Sequence, residues 1–480
     1  MTKNIIISAI AILTLNFGFA QTFQTQVGPS FKKESEKDIY HIVFPSAYGF
    51  TTLHHLDNVM MDNTKAMVLT KYDQTMQSIE TKTFNLPKLG QRAADLQRVI
   101  ELDDKLIFLS TSMDKKTGAH QVFAQVYNQK DNSVSAEKVL ASIPIEGYSN
   151  SGYYQIAVSP NQSKIAIYAN MPFEKKMQEK VQAWMYDIEL NNLWEHSETL
   201  SFESERAYQE ETFVSNEGQL YVSKVTDFYK KTRTTHLLKC NGKSFESSVL
   251  SADGFQPMDM SLINVTGKPM LVGFFWDGTK GIIKVNSEEG NDNDGAFLYD
   301  LSESKLIGIH KWSTSLNTSD LKSLEVVDVK VVGDDIFMIG EKRLEKSEFR
   351  KNGSTPTMDL DYFYTFGSSV IVNLDTKGTL KSFTPLMGSK LYKNTDKEKG
   401  SVAALYLENG LRIFSNNDYI RCDSFFTQNK ATFNSPSVRP NGIGTTPYII
   451  PATVSEVKKY NLVYYITNYG DQYWLNKMSW

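Results

Sequence analysis

Cysteine is nearly absent: 480 residues contain only Cys240 and Cys422, so neither a disulfide framework nor a cysteine-based metal site organises the chain. An oxidising compartment would let the two pair and close a very long loop. Each nevertheless sits beside an apolar strand pattern, where a small buried thiol is the usual outcome. Short catalytic signatures are missing too, with no GxSxG elbow, HExxH helix, Walker loop or GxGxxG turn. The histidines are scattered, and the one adjacent pair, His54-His55, would point to opposite faces of a strand rather than converge on a metal. No catalytic residue, metal or cofactor is therefore expected. An enzyme whose site is assembled from single residues on separate structural units stays open as an alternative. An excess of one charge sign is also lacking: 51 basic and 55 acidic side chains leave a net charge of −4, with no basic stripe. Nucleic acid is excluded as a partner on that ground.

Long hydrophobic runs occur only at the start. In MTKNIIISAIAILTLNFGFAQ, Lys3 supplies a positive beginning, Ile5 to Leu15 an apolar stretch, and Gly18-Phe19-Ala20 a small-x-small cleavage site. Residues 1–20 are expected to be a secretory signal peptide. Gln21 rather than Cys follows the cut, so no lipid anchor is expected, and the Phe-Ala-Gln junction resembles signal peptides of Bacteroidota. No later stretch reaches the ~18 apolar residues a membrane helix needs.

What the chain does contain is a repeat. YQIAVSPNQSKIAIYAN at 154–170 reads as two alternating apolar runs around a polar turn, the pattern of a tight antiparallel hairpin. The same form recurs at 58–70, 96–112, 209–225, 261–276, 324–342 and 401–416. A second pair of more polar strands follows each copy, the last at 461–478. Four-stranded sheets of this kind bury both faces only by stacking radially. The expected fold is therefore all-β: a seven-bladed β-propeller of four-stranded antiparallel blades, with six or eight blades as alternatives. It would occupy 58–480. The segment 21–57 would stand before it, its stretch 38–56 pairing with the C-terminal strands to close the ring.

Blade grammar also carries a family resemblance. Val158-Ser159-Pro160-Asn161 before the strand at 164–168, then Trp184-Met185-Tyr186-Asp187, resembles the blades of TolB-like and WD40-like propellers. Asn161-Gln162 stands where those blades have Asp-Gly, and no Trp-Asp dipeptide recurs. Such blades serve enzymes, binders and scaffolds alike.

Three stretches break the rhythm. Residues 86–99 are expected to form a short helix, given Ala93, Ala94 and Leu96. The insertion at 341–366 begins charged and ends aromatic, and 424–456 is proline-rich with little charge. Loops of that length in a compact domain are usually functional, and clustered aromatics on a loop are typical protein-interface anchors. Tyr362, Phe363, Tyr364, Phe366, Phe433, Tyr448, Ile449 and Ile450 are the candidate partner-binding residues. Asp292 and Asp294 match two positions of a calcium loop, but Gly290 and Leu301 replace two other ligands, so a solvated turn is favoured. Exposed Trp276, Trp312, Tyr469 and Trp474 would suit a glycan platform, whereas packing between blades suits them better.

The blade pattern runs to Trp480, leaving no room for the C-terminal sandwich domain that proteins exported by the type IX route usually bear, so for a chain of Bacteroidota type retention in the periplasm is expected over surface display. The expected function is a non-enzymatic periplasmic interaction module, an accessory subunit of an outer-membrane secretion or assembly complex. That setting is implied by resemblance to exported propellers. A propeller hydrolase or lyase with a site at the central channel, and a glycan-binding module, are the alternatives.

Overall fold

The computed structural model of the protein describes residues 24–32, 41–58, 64–205, 209–227, 233–250, 255–277, 293–312, 321, 324–351, 358–386, 390–393, 402–407, 410–416, 420–426, 430–433, 448–469 and 472–479. Among these residues the strands form eight antiparallel sheets of four or five strands and one two-stranded ladder. Seven sheets each contain one of the repeats read from the sequence: in six the hairpin forms the first two strands, whereas 58–70 runs from the end of the second strand of the first sheet into its third. The seven are blade 1 (41–85), blade 2 (95–144), blade 3 (153–203), blade 4 (209–250), blade 5 (256–311), blade 6 (324–386) and blade 7 (403–433). The eighth sheet, blade 8, joins Leu462–Tyr469 and Gln472–Ser479 to Gln24–Lys32 from the other end of the chain. The all-β propeller of four-stranded antiparallel blades is thus the fold observed. The repeated hairpin accounts for seven sheets, and the ring includes one more, assembled from both ends.

Packing shows the ring to be continuous. Each neighbouring pair of sheets encloses its own apolar cluster, and the series runs from blades 1 and 2 round to blades 7 and 8 and on to blades 8 and 1. Alternation explains it: the second strand of a blade sends successive side chains into the clusters on either side, so it is apolar throughout. Leu106–Leu109 in blade 2 and Ile165–Ala169 in blade 3 are buried without a break. Fourth strands face water on one side and alternate, as Asn192–Glu203 does. Innermost strands are tied to their neighbours by side chains reaching across. Glu101 accepts from the Phe44 N–H at 2.7 Å, Arg98 donates to Ile156 O at 2.8 Å, and Asp259 accepts from the Val326 N–H at 2.5 Å.

One recurrent device was not anticipated from the sequence. Asp73, Asp187, Asp300 and Asp375 each end the third strand of blades 1, 3, 5 and 6, and each carboxylate accepts backbone N–H groups of the turn that follows. Asn128 and Asn241 do the same in blades 2 and 4. These Asx turns satisfy donors that a tight reversal would otherwise leave unpaired. Hydrogen bonding to the ionised form holds all four aspartates below the usual carboxylate range, against the opposing effect of burial. In the Ser-Pro turn of blade 3, Ser159 Oγ accepts from the N–H groups of Ser163 and Lys164, and Gln162 takes a positive φ of 56°. A glycine is the ordinary occupant of that backbone region.

Several expectations are corrected. Residues 86–99 form no helix: Lys88–Leu89 and Arg92–Ala93 make a small ladder, and Asp95–Glu101 is the inner strand of blade 2. Gly90, at φ 60°, permits the reversal, while Leu86 and Ala94 are buried. The stretch expected to close the ring, 38–56, instead supplies the first two strands of blade 1, and it is Gln24–Lys32 that pairs with Gln472–Ser479. The segment 341–366 is not a loop, because most of it lies in two long paired strands, Asp335–Lys351 and Met358–Asp375. Within 424–456, the end of Ile420–Phe426 and Lys430–Phe433 complete blade 7, so the strands at 461–478 belong to blade 8. Cys240 is a free thiol buried between blades 3 and 4, with burial pushing it up to about 11. The side chain of Cys422 lies outside the described residues.

Candidate functional site

Strand direction gives the ring two unlike faces. On one, the first strand of blades 1 to 7 turns into the second and the third into the fourth through two to five residues. On the other lie the strand ends from which the second-to-third-strand loops and the connections between blades leave and to which they return. The arm within the first sequence insertion belongs to this loop face. The hairpin Asp335–Lys351/Met358–Asp375 continues past Leu324↔Lys342, where its inner neighbour stops pairing, and forms a projecting arm. Lys390–Lys393 adds a third strand to the arm alongside Phe363–Phe366. Phe433 pairs near the beginning of Ile420–Phe426 and Tyr448 near the end of Leu462–Tyr469, so the segment between them also leaves and returns on the loop face.

A cavity of about 610 Å³ opens on the same face where blades 3 and 4 meet. The connection 145–152 supplies Ser149, Asn150 and Ser151, held by Asn150, whose side chain bridges the Phe173 N–H at 2.7 Å and the Phe173 carbonyl at 3.0 Å. Tyr153, Met171 and Phe173 give apolar walls, and Glu205 stands among the lining residues.

Beneath them lies an ionic cluster. Asn170 ends Lys164–Asn170, Glu179 begins Gln178–Asp187, Glu210 begins Gln209–Val214, and Lys224 lies near the end of Leu220–Thr226. Four strand ends thus converge at the loop-face end of the apolar contact between blades 3 and 4. Lys224 is fully buried, and its Nζ lies 2.7 Å from Asn170 Oδ1, 3.1 Å from Glu179 Oε1 and 3.0 Å from Glu210 Oε1. Asn170 Nδ2 donates to Glu210 Oε2 at 2.6 Å. Burial raises the Glu210 carboxyl, and the opposing pull of Lys224 and Asn170 does not cancel it. Next door Glu211 is pushed up to about 7, by burial first and then by the charge of Asp259. His236 is lowered by burial and by Lys224.

None of these residues was singled out in the sequence, though a signal was present. Lys224 keeps the phase of Leu220 and Val222, and Glu179 that of Val181, Ala183 and Met185, all of which are buried. A charged residue at an inward position of a strand needs a partner or a ligand.

The partner-binding candidates are distributed differently from the expectation. Phe363 and Tyr364 lie partly exposed on the arm, whereas Phe366 is buried beneath the Arg343 guanidinium at 5.7 Å. Ile449 and Ile450 are core residues packed where blade 8 meets blades 7 and 1, which removes them as exposed contacts. The side chains of Tyr362, Phe433 and Tyr448 lie outside the described residues. Asp292 lies outside them too, and Asp294 Oδ2 accepts from the Asp277 N–H at 2.9 Å. Trp276, Trp312 and Trp474 are buried and supply no sugar platform.

These features define the class: a β-propeller with one loop-rich face. No protein-family model matches the sequence, and no curated protein matches it. Among solved structures, the chain is similar to the β-propeller domain of the Trilobed protease from Pyrococcus furiosus, described as having an open velcro topology. Identity there is 10% and the TM-score 0.39, over 84% of this chain and 96% of that one. It is also similar to the polysaccharide lyase Uly1, at 11% identity and a TM-score of 0.38, over 94% and 99% of the two chains. The WD40 domain of SCAP from fission yeast is matched at 8% identity and a TM-score of 0.35, over 95% and 98%. The likeness is one of fold alone.

Proposed function

We propose that the protein is an exported propeller that docks another protein on its loop face, as an accessory subunit on the periplasmic side of an outer-membrane secretion or assembly complex. One observation carries the docking role: the arm and the cavity lie on one face, where the strands flanking the long connections also end, while the opposite face of blades 1 to 7 is closed by turns of two to five residues. Loops held on a rigid scaffold are where binding residues concentrate. The arm offers Phe363 and Tyr364 as partly exposed aromatics, the residue types that dominate interface energetics. The signal-like N-terminus supports export, and among the described residues no helix is long and apolar enough to cross a membrane.

Shortening the arm tests the docking role without cutting a blade. Glu345 pairs with Tyr364, so replacing 346–363 by Asn-Gly would close the hairpin with a favoured two-residue turn. A partner recovered with the tagged wild-type chain after gentle envelope extraction should be lost with the shortened one, at unchanged melting temperature. Equal recovery from both, or a solitary monomer from both, would remove the proposal.

A further inference from the structure

The ionic cluster under the cavity is not closed. Lys224 donates to Asn170 Oδ1 and Glu179 Oε1, and Glu210 Oε1 stands 3.0 Å from its Nζ as a third oxygen. Glu210 Oε2 accepts from Asn170, while its Oε1 lies 3.0 Å from Lys224 Nζ without a hydrogen bond. Glu205 accepts from the Asp227 N–H at 2.7 Å. Glu179, with its side chain 2% exposed, has Oε1 accepting from Lys224 and Oε2 buried with no hydrogen-bond partner, whereas the other unmet oxygen, Glu210 Oε1, has Lys224 beside it. Leaving a buried acceptor unmet costs about 1–3 kcal/mol, and more for a charged group. Glu179 lines the cavity, and so do Glu205 and Glu210.

We infer that the cavity binds a primary ammonium group carried on a slim chain, with the ammonium donating to Glu179 Oε2 and the chain lying along Tyr153, Met171 and Phe173. The donor set selects the ligand. A guanidinium fork prefers two free oxygens of one carboxylate, and here one of the two is occupied. Among the described residues no group of three His, Cys, Asp or Glu side chains is placed to hold a metal ion. A compact ammonium needs only one open acceptor, and its remaining protons have Ser151 and Asn150 on the wall above. The volume lies within the ~300–1,000 Å³ of small-molecule sites. This site goes beyond the docking role and does not depend on it.

Calorimetric titration of the full chain tests the inference, with n-butylamine, cadaverine and Nα-acetyl-lysine methylamide as probes. Their trimethylammonium counterparts, which have no N–H to donate, serve as controls. The primary amines should give saturable binding and the controls should bind at least about tenfold more weakly. Glu179→Gln should weaken the amines by about tenfold or more. Ser151→Trp, which obstructs the cavity from a connection, should do the same without touching the buried cluster. A free diamine binding more tightly than the lysine derivative would identify a small amine as the source, and the reverse order a polypeptide lysine. No saturable heat up to about 10 mM, equal binding of the trimethylated controls, or unaltered affinity in both variants would overturn the inference.

Discussion

Replacing Lys224 with methionine keeps most of the side-chain volume and removes the only cation among Asn170, Glu179 and Glu210. Two carboxylates, both almost fully buried, would then face each other with one amide between them. Removing one partner of a buried ion pair typically costs about 3–5 kcal/mol, because the remaining charge is left uncompensated. Lys224→Met should therefore lose stability at the upper end of that range in urea unfolding at pH 8. Acid should shrink the deficit, since protonating either glutamate removes the repulsion. Glu210 is already raised by burial and should take the proton first. The triple variant Lys224→Met/Glu179→Gln/Glu210→Gln should recover more than half of the loss, as buried ion clusters are often replaceable by neutral groups. A loss below about 1 kcal/mol, the scale of an exposed pair, or a deficit independent of pH would show that the cluster is hydrated and that the reasoning about its burial is wrong.

Other predictions follow from the same structure. Glu211, pushed up to about 7, holds its proton in the folded protein at pH values where the unfolded chain has released it. Its contribution to stability should therefore fall as pH rises from about 4.5 to 7. Glu211→Gln should match the wild type near pH 4 and exceed it near pH 8, by about 1–3 kcal/mol after allowance for partial exposure; identical pH profiles would refute the shift. The turn aspartates act in the opposite sense. Asp73, Asp187, Asp300 and Asp375 are lowered, so their stabilisation is present above their ordinary range and lost as pH falls through the folded values. Changing all four to alanine should lower the melting temperature at pH 7 and flatten its decline in acid. Deleting Gln24–Lys32 would strip blade 8 of its outer strand, including the Phe31–Tyr473 stacking at 5.7 Å, and should lower the melting temperature sharply; an unchanged transition would show that the ring does not need this strand.

Much of this architecture is legible in the sequence because propeller physics is periodic. The hairpin at 154–170 recurs where Tyr153–Val158 and Lys164–Asn170 pair without a register shift, and its relatives mark a sheet each. Blade 8 lacked that signature. Its inner strand is split between Tyr448–Ile449 and Ser455–Val457, and its outer strand comes from the opposite end of the chain, so no local pattern contains it. The arm is hidden for a related reason: Lys and Glu dominate 341–351, and charge on a strand that leaves the ring resembles charge in a loop. Ile449 and Ile450 sit in a proline-rich stretch, yet closing the ring buries them. The cavity cluster leaves no local pattern in the sequence because its members are scattered over four strand ends and meet only when blades 3 and 4 pack.

Site-specific photo-crosslinking in the native cell bears most directly on the docking of a partner on the loop face. A photoreactive residue at Tyr364 or Tyr148 would report from the loop face, and one at Lys377 or Lys243 from the turns opposite. The account predicts one discrete crosslinked band from the first pair and none from the second. Bands from the turn face alone, or from neither, would contradict it.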